Sequence, residues 1–279
     1  MIEENKKMKV AVIGIGNMGQ ALIEGFIKKG AHRPDEIYLY DYEIQKATLF
    51  AEKTGCHACS SSAEAATGAN VVLIAVKPQV IGPVLETLKE HLGADTLFIS
   101  IAAGVSIHTL REMIHSETIP LIRVMPNTPA LVGEGASALC FSNVPSDLET
   151  YAMRLFETGG IAVRVEEKVM DAVTGLSGSG PAYGMIFIEA MADAGVKLGL
   201  ARDVAVRLAA MTLKGSAAMV LETGKNPAEL KNQVCSPGGT TISGVYALEK
   251  AGFRSAVMDA VCAAAMRSKE LSEESGRKK

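Results

Sequence analysis

The sequence predicts an α/β chain: an N-terminal domain on a parallel sheet, residues 1–165, followed by an all-helical domain, residues 166–279. Three observations predict it. An apolar run, Val10-Ala-Val-Ile13, passes through Gly14-Ile-Gly16-Asn-Met-Gly19 into an apolar stripe at helical spacing, Met18, Ala21, Leu22, Gly25 and Phe26. Short apolar runs and helical segments then alternate up to Val165, the pattern of βαβ units with right-handed crossovers. Past Glu166 no further strand-like run occurs.

The first turn has the G-x-G-x-x-G spacing between a strand and a helix, the context in which it binds a dinucleotide in a Rossmann-type domain. Gly14 permits the tight turn, Gly16 lets a pyrophosphate approach the backbone, and Gly19 lets the helix lie on its strand. Met18 is a packing residue. A turn of the same shape that binds nothing is the alternative.

Glu36–Tyr40 is the second strand, ending at Asp41. An acid there accepts hydrogen bonds from the adenine ribose and repels a 2′-phosphate, which leans toward NAD; alternatively Asp41 caps the helix Tyr42–Lys53. A short strand at Cys56–Ala58 leads to Ser60-Ser-Ser62, an N-cap for Ala63–Thr67. Asn70–Val76 is a buried strand stopped by Lys77-Pro78, with a helix from Gln79 to His91. Thr96–Ser100 is a strand ending in Ile101-Ala-Ala-Gly104, and a helix starts near Ser106. Leu121–Val124 ends in Met125-Pro-Asn-Thr-Pro129, and Ala136–Phe141, a helix at Asp147–Glu157, and Ile161–Val165 complete the sheet. Because parallel strands share one carboxyl edge, Gly14–Gly19, Ala75–Pro78, Ile101–Gly104 and Asn127–Pro129 line a common crevice. Lys77, the one ammonium in those loops, either neutralises phosphate or points into water.

The helical domain reads as Pro181–Leu198, Arg202–Glu222, Pro227–Val234, Thr241–Lys250 and Phe253–Leu271, with prolines at two starts and Gly199, Gly224 and Gly252 just past ends. The first two helices are apolar nearly all round, and so few residues cannot cover them; a partner chain is the simplest cover. Two glycine-rich turns precede helices, Gly175-Leu-Ser-Gly-Ser-Gly180 and Cys235-Ser-Pro-Gly-Gly-Thr-Thr241. The second gathers the N–H groups of Gly239, Thr240 and Thr241 and the hydroxyls of Ser236 and Thr241 at a helix N-terminus, an anion site suited to a carboxylate. The alternative is a capped helix that binds only water. Neither turn offers His or Lys, and Tyr183 lies a turn inside a helix. Ketone reduction needs a positioned acid; a cyclic iminium is already protonated and needs none.

A net charge of −3 with scattered Lys and Arg excludes an electrostatic footprint for nucleic acid or anionic membrane. The charged start Met1–Met8 argues against a signal peptide, and runs such as Val71–Val76 are too short to span a bilayer, so a cytoplasmic location and no membrane association are expected. The tail Gly276–Lys279 is expected to be a frayed, solvated end. Five cysteines form no disulfide framework; Cys56 and Cys59 read as buried thiols rather than a zinc or redox pair, and no metal site is expected. His32, His91, His108 and His115 read as surface or cap residues.

Together the motifs Gly14–Gly19, Ala75–Pro78, Ile101–Gly104, Met125–Pro129, Gly175–Tyr183 and Ser236–Thr241 resemble those of pyrroline-5-carboxylate reductase over nearly the whole chain. The resemblance implies reduction of 1-pyrroline-5-carboxylate to L-proline with NADPH or NADH. It implies that Gly14, Ile15, Gly16, Asn17, Met18, Gly19, Ser62, Ala75, Val76, Lys77, Pro78, Ile101, Ala102 and Ala103 bind the cofactor. It also implies that Thr240 and Thr241 meet the substrate, Thr241 at the ring nitrogen, within a motif that includes Ser236, Gly238 and Gly239, and that Glu167 and Gln233 lie near the same site. The helical domain becomes a dimerisation domain, with homodimers often assembled as pentamers of dimers. Asp41 departs from the family, where small or polar residues tolerate a 2′-phosphate. Two rivals remain: a β-hydroxyacid dehydrogenase, whose lysine is missing from Pro181–Ala194, and a non-catalytic dinucleotide sensor, which has no need of the Ser236–Thr241 turn.

Overall fold

The computed structural model describes residues 8–277, so the charged start up to Lys7 and the final Lys278-Lys279 lie outside the described residues. Eight strands form one sheet: β1 Val10–Ile13, β2 Ile37–Tyr40, β3 His57–Ala58, β4 Val71–Ile74, β5 Leu97–Ser100, β6 Leu121–Met125, β7 Gly135–Ser142 and β8 Gly160–Arg164. Their order is β3-β2-β1-β4-β5-β6-β7-β8. β1, β4 and β5 have no exposed position, as unbroken apolar runs covered on both faces require. The strands from β3 to β6 pair in parallel. One pairing departs from the all-parallel expectation: β7 runs antiparallel to β6. The connection, residues 126–134, holds a 3₁₀ turn, Thr128–Val132, and the left-handed Gly133, too little chain for a helical crossover. The crossover that follows restores a parallel β7–β8 pair.

On one face lie α1 Asn17–Lys28, α2 Ile44–Thr54 and α6 Ser146–Glu157, where Leu22, Ile23, Phe26, Phe50, Leu155 and Phe156 form a core; Phe26 meets Phe156 edge-on. On the other lie α3 Ser62–Ala66, α4 Ile81–Leu88 and α5 Ile107–Ile114, packed through Ala65, Leu85, Leu88 and Leu110. Within the expected Ser60–Ser62 run it is Ser61 that caps α3, accepting the Glu64 amide, and Ser106 caps α5, where a helix start was expected.

The chain divides into two compact units, one holding the residues up to Gly178 and those from Ala264 onward, the other Ser179–Ala263. The change of pattern at Glu166 is therefore not where contacts part. The short helix α7, Met170–Val173, stays with the sheet because Met170 is buried beside Ala138 and Cys140. The expected glycine turn at Gly175–Gly180 is instead helical: Thr174–Gly178 forms a π-turn, pinned where Asn127 Nδ2 donates to the Ser177 carbonyl.

The remaining helices are α8 Gly180–Lys197, α9 Arg202–Thr223, α10 Pro227–Val234, α11 Thr240–Lys250 and α12 Phe253–Arg277. Gly276 and Arg277, assigned to a frayed end, close α12 as helix. The far part of α12 returns to the sheet unit, where Ser268 Oγ donates to Asp171 at 2.7 Å. In α8 only Ala192 is buried, and in α9 only Ala205 and Ala209. Met185, Ile186, Leu208 and Met211 are each more than half exposed, so the single chain leaves these two long apolar helices uncovered. α9 is long and apolar enough to cross a membrane by length and composition.

His32, read as a surface or cap residue, is buried. Its Nε2 lies 2.7 Å from the Tyr151 hydroxyl and its Nδ1 3.3 Å from Glu36. His115, by contrast, ends α5 in the left-handed conformation, and His108 is exposed. Burial, the larger effect, lowers the proton affinity of His32 against the pull of Glu36, and desolvation raises that of Tyr151. A histidine whose folded pKa lies below its unfolded value stabilises fully above the unfolded pKa and loses that contribution as pH falls through the folded one. Urea unfolding should therefore show stability falling as pH drops below about 6.5, with a shallower slope in His32→Gln. Tyr151→Phe should cost about 1 to 2 kcal/mol at neutral pH. An unchanged slope in His32→Gln would contradict this.

Candidate active site

Three glycines of the first turn are glycines for different reasons. Gly14 has φ +104°, and a Cβ on it would stand 2.7 Å from the Ala75 carbonyl; a Cβ on Gly19 would stand 2.3 Å from the Gly14 oxygen. The fold itself demands both. Gly16 is otherwise: with φ −73° and ψ 178° it has an ordinary backbone, and a Cβ there meets no atom within 4 Å. The space above Gly16 serves something outside the fold. Gly16 is the N-cap of α1, no side chain accepts the amides of the first turn, and no acidic residue lies in that turn. A cradle of free N–H groups beside an open glycine fits a pyrophosphate.

Around this turn lies a cleft of about 600 Å³, lined by Gly14, Gly16, Asp41, Ser62, Ala75, Val76 and Lys77. It opens where β1 meets β4 and the strand order reverses, the place where open α/β sheets bind ligands. Ser62 Oγ lies 2.9 Å from Thr87 Oγ1. Of the other residues assigned to the cofactor, Ile15, Gly19 and Ala102 are buried, and Met18 packs against the core as expected. Asn17, Pro78, Ile101 and Ala103 lie in the same loops but outside this cleft's wall. The wall also includes residues the sequence did not disclose: Tyr42 and Lys46 beside Asp41, Val80, Pro83 and Val84 at the start of α4, and Thr87 near its end. Pro83-Val84 in a first helical turn was the available signal, but apolar residues there read equally well as core.

Asp41 does something neither reading anticipated. Its Oδ2 accepts the Ile15 amide at 2.7 Å and its Oδ1 the Glu43 amide at 3.0 Å. The N-cap of α2 is Glu43. The Asp41 carboxylate thus ties the end of β2 to the glycine turn while facing the cleft.

In the helical unit, Gly239 is the N-cap of α11, without a side-chain cap. Its own amide donates to the Ser236 carbonyl at 3.1 Å, so the anion site is narrower than expected: the amides of Thr240 and Thr241 remain, and that of Gly239 does not. Gly238 takes the left-handed conformation that closes this turn. Thr240, Ser236 and Gln233 are exposed, Gln233 bonding Glu229, whereas Thr241 is half-buried. Thr241 lines an apolar groove of about 480 Å³ with Phe187, Met191, Leu230 and Val245. Lys231 also lines it, an ammonium that sequence reasoning missed because it sits on the preceding helix, outside both glycine motifs. The Tyr183 hydroxyl donates to the Ala260 carbonyl.

Glu167, in the sheet unit, is held by two donors on one oxygen: the Ile107 amide at 2.6 Å and Arg123 Nη1 at 3.0 Å. Arg123, buried in an otherwise apolar strand, was likewise missed. Cys56 and Cys59 are buried free thiols whose pKa values burial pushes up, the reverse of a reactive pair.

The comparisons agree with this division of labour. Residues 9–104 match the family described as "NADP oxidoreductase coenzyme F420-dependent", and residues 167–271 match "Pyrroline-5-carboxylate reductase dimerisation". A pyrroline-5-carboxylate reductase of Methanosarcina acetivorans is 45% identical over 269 residues, covering 95% of this chain and 98% of its own. The chain belongs to the pyrroline-5-carboxylate reductase family. The Coxiella burnetii reductase structure superimposes with a TM-score of 0.90 at 34% identity, covering 95% of this chain and 99% of its own. That of the Plasmodium falciparum reductase, solved with NADP bound, gives 0.85 at 39% identity, covering 95% and 98%. Membership makes the chain an NAD(P)H-dependent reductase of 1-pyrroline-5-carboxylate in proline biosynthesis, its helical half a dimerisation domain that accounts for the uncovered faces of α8 and α9.

The two glycines separate folding from binding. Gly16→Ala should leave the melting temperature nearly unchanged yet weaken dinucleotide binding by at least about 10-fold, because the added methyl enters only the phosphate space. Gly14→Ala, strained at φ +104° and blocked by Ala75, should cost about 1 to 3 kcal/mol of stability. Calorimetric melting and NADP⁺ titration of both variants test this; a Gly16→Ala variant that binds as well as wild type would contradict it.

Proposed function

We propose that the chain reduces its substrate as the cyclic iminium, holding the carboxylate on the first turn of α11 and supplying no titrating acid. The observation that carries this reading is the uncapped N-terminus of α11, where the Thr240 and Thr241 amides have no side-chain acceptor and Thr241 lines a groove. Bound reduced nicotinamide supplies the hydride. The chain's own residues bind, orient and exclude water. The amides take the carboxylate, the apolar wall keeps the ring dry, and the Thr241 hydroxyl orients the ring nitrogen and stabilises the amine product. Tyr183 is a poor candidate acid, since its hydroxyl already serves Ala260. Lys231 is the one ammonium among the described residues of the groove wall.

For the cofactor, the Asp41 carboxylate at the end of β2 favours ribose hydroxyls over a 2′-phosphate, so NADH should serve at least as well as NADPH. For assembly, the reading extends the dimer to a pentamer of dimers in the cytoplasm. Light scattering at low micromolar concentration should show no monomer and a mass of ten chains. An active monomer would overturn the interface argument, and a stable dimer would remove the higher assembly alone.

Thr241→Ala should lower kcat/KM by roughly 10- to 100-fold, the scale of one lost hydrogen bond. The pH profile of kcat/KM should follow the substrate's own protonation and keep its shape in Thr241→Ala, Tyr183→Phe, Lys77→Met and Lys231→Met. Loss of an ionisation in any of these, or a fall approaching about 10⁴-fold, would mean that the protein supplies the proton.

A further inference from the structure

We propose that Lys46 is a specificity-determining residue for the cofactor: its ammonium, at the adenosine end of the cleft, accepts the 2′-phosphate of NADPH beside the Asp41 carboxylate. The inference rests on the dinucleotide reading above and adds to it a residue that no motif contains.

Lys46 lies in the first turn of α2, two residues past its start at Ile44. A cation in that position opposes the helix dipole, whose positive end favours acidic residues. Nothing in the fold compensates: among the described residues no carboxylate pairs with Lys46, yet the side chain is half-buried and lines the cleft wall. Two acids line the same wall, Asp41 and Glu43, and neither pairs with it: the Asp41 oxygens are turned to the Ile15 and Glu43 amides, and Glu43, the N-cap of α2, is exposed. Where β2 ends the cleft therefore presents an ammonium that no carboxylate holds, beside the tied Asp41 carboxylate and the exposed Glu43. In sheets of this order that point borders the ribose of the adenosine, so a carboxylate there meets hydroxyls and a nearby cation meets a 2′-phosphate. Lys77, the other ammonium in this wall, follows β4, which lies on the other side of β1 from β2. Here Lys46 offsets the charge of Asp41. Cofactor choice becomes a balance of two side chains, and the enzyme is dual in its use of NADH and NADPH.

The test is direct binding. Isothermal titration of the full-length protein with NADP⁺, NAD⁺, adenosine 2′,5′-bisphosphate and 5′-AMP is compared between wild type, Lys46→Met and Lys46→Arg. Lys46→Met, which keeps the aliphatic stem, should weaken NADP⁺ and the bisphosphate by roughly 10-fold while NAD⁺ and 5′-AMP change less than about 2-fold. Lys46→Arg should stay within about 3-fold of wild type for all four. Added salt should weaken NADP⁺ binding more in wild type than in Lys46→Met. Equal weakening of NADP⁺ and NAD⁺, or no change in either, would overturn the proposal while leaving the dinucleotide reading intact. A wild-type protein that binds neither dinucleotide would overturn both.

Discussion

The closeness of α1 to the carboxyl ends of β1 and β4 sets the terms for the rest of the sheet unit. With no side chain at Gly19, the first turn of the helix sits on the Gly14 carbonyl, and with none at Gly14 the turn presses against Ala75. That proximity aims the free amides of α1 at the point where the strand order reverses, and the Asp41 carboxylate fastens the Ile15 amide from the side. Move the helix outward by the width of a methyl group and the amide cradle, the open space above Gly16 and the tie to β2 are lost together. The sheet, its two buried faces and the crossovers serve to hold this one junction.

The helical unit is constrained in the opposite sense. Its long helices bring more apolar surface than they cover, leaving Met185, Ile186, Leu208 and Met211 exposed on the single chain, and an exposed apolar patch of this kind marks an interface. The same surface gives α9 the length and composition of a membrane span, and the dimerisation family match over residues 167–271 gives these faces a protein partner.

The strands, the helices and the glycine turn were legible because periodicity and glycine spacing act over a few residues. Gly14, Gly16 and Gly19 could be assigned separate tasks from position alone, and the structure upholds the packing tasks of the first and third. What escaped depended on contacts between distant segments. His32 is buried because Tyr151, far along the chain, meets it; Arg123 sits inside an apolar strand because Glu167 neutralises it. The antiparallel β7 follows from a connection too short to cross over, and the glycine run at Gly175–Gly178 became a π-turn because Asn127 holds its carbonyl. Gly239 lost its place in the anion site to a turn bond with Ser236 that spacing alone could not reveal.

Reduction of 1-pyrroline-5-carboxylate by a reduced nicotinamide is the activity on which the reading of both units rests. Nicotinamide oxidation and proline formation, followed together with 1-pyrroline-5-carboxylate as acceptor and NADH and NADPH supplied separately, measure it directly. The account predicts oxidation strictly dependent on the acceptor, one proline formed for each reduced nicotinamide consumed, and turnover with both cofactors. Binding of both dinucleotides without any acceptor-dependent oxidation would contradict it and leave a dinucleotide sensor in its place.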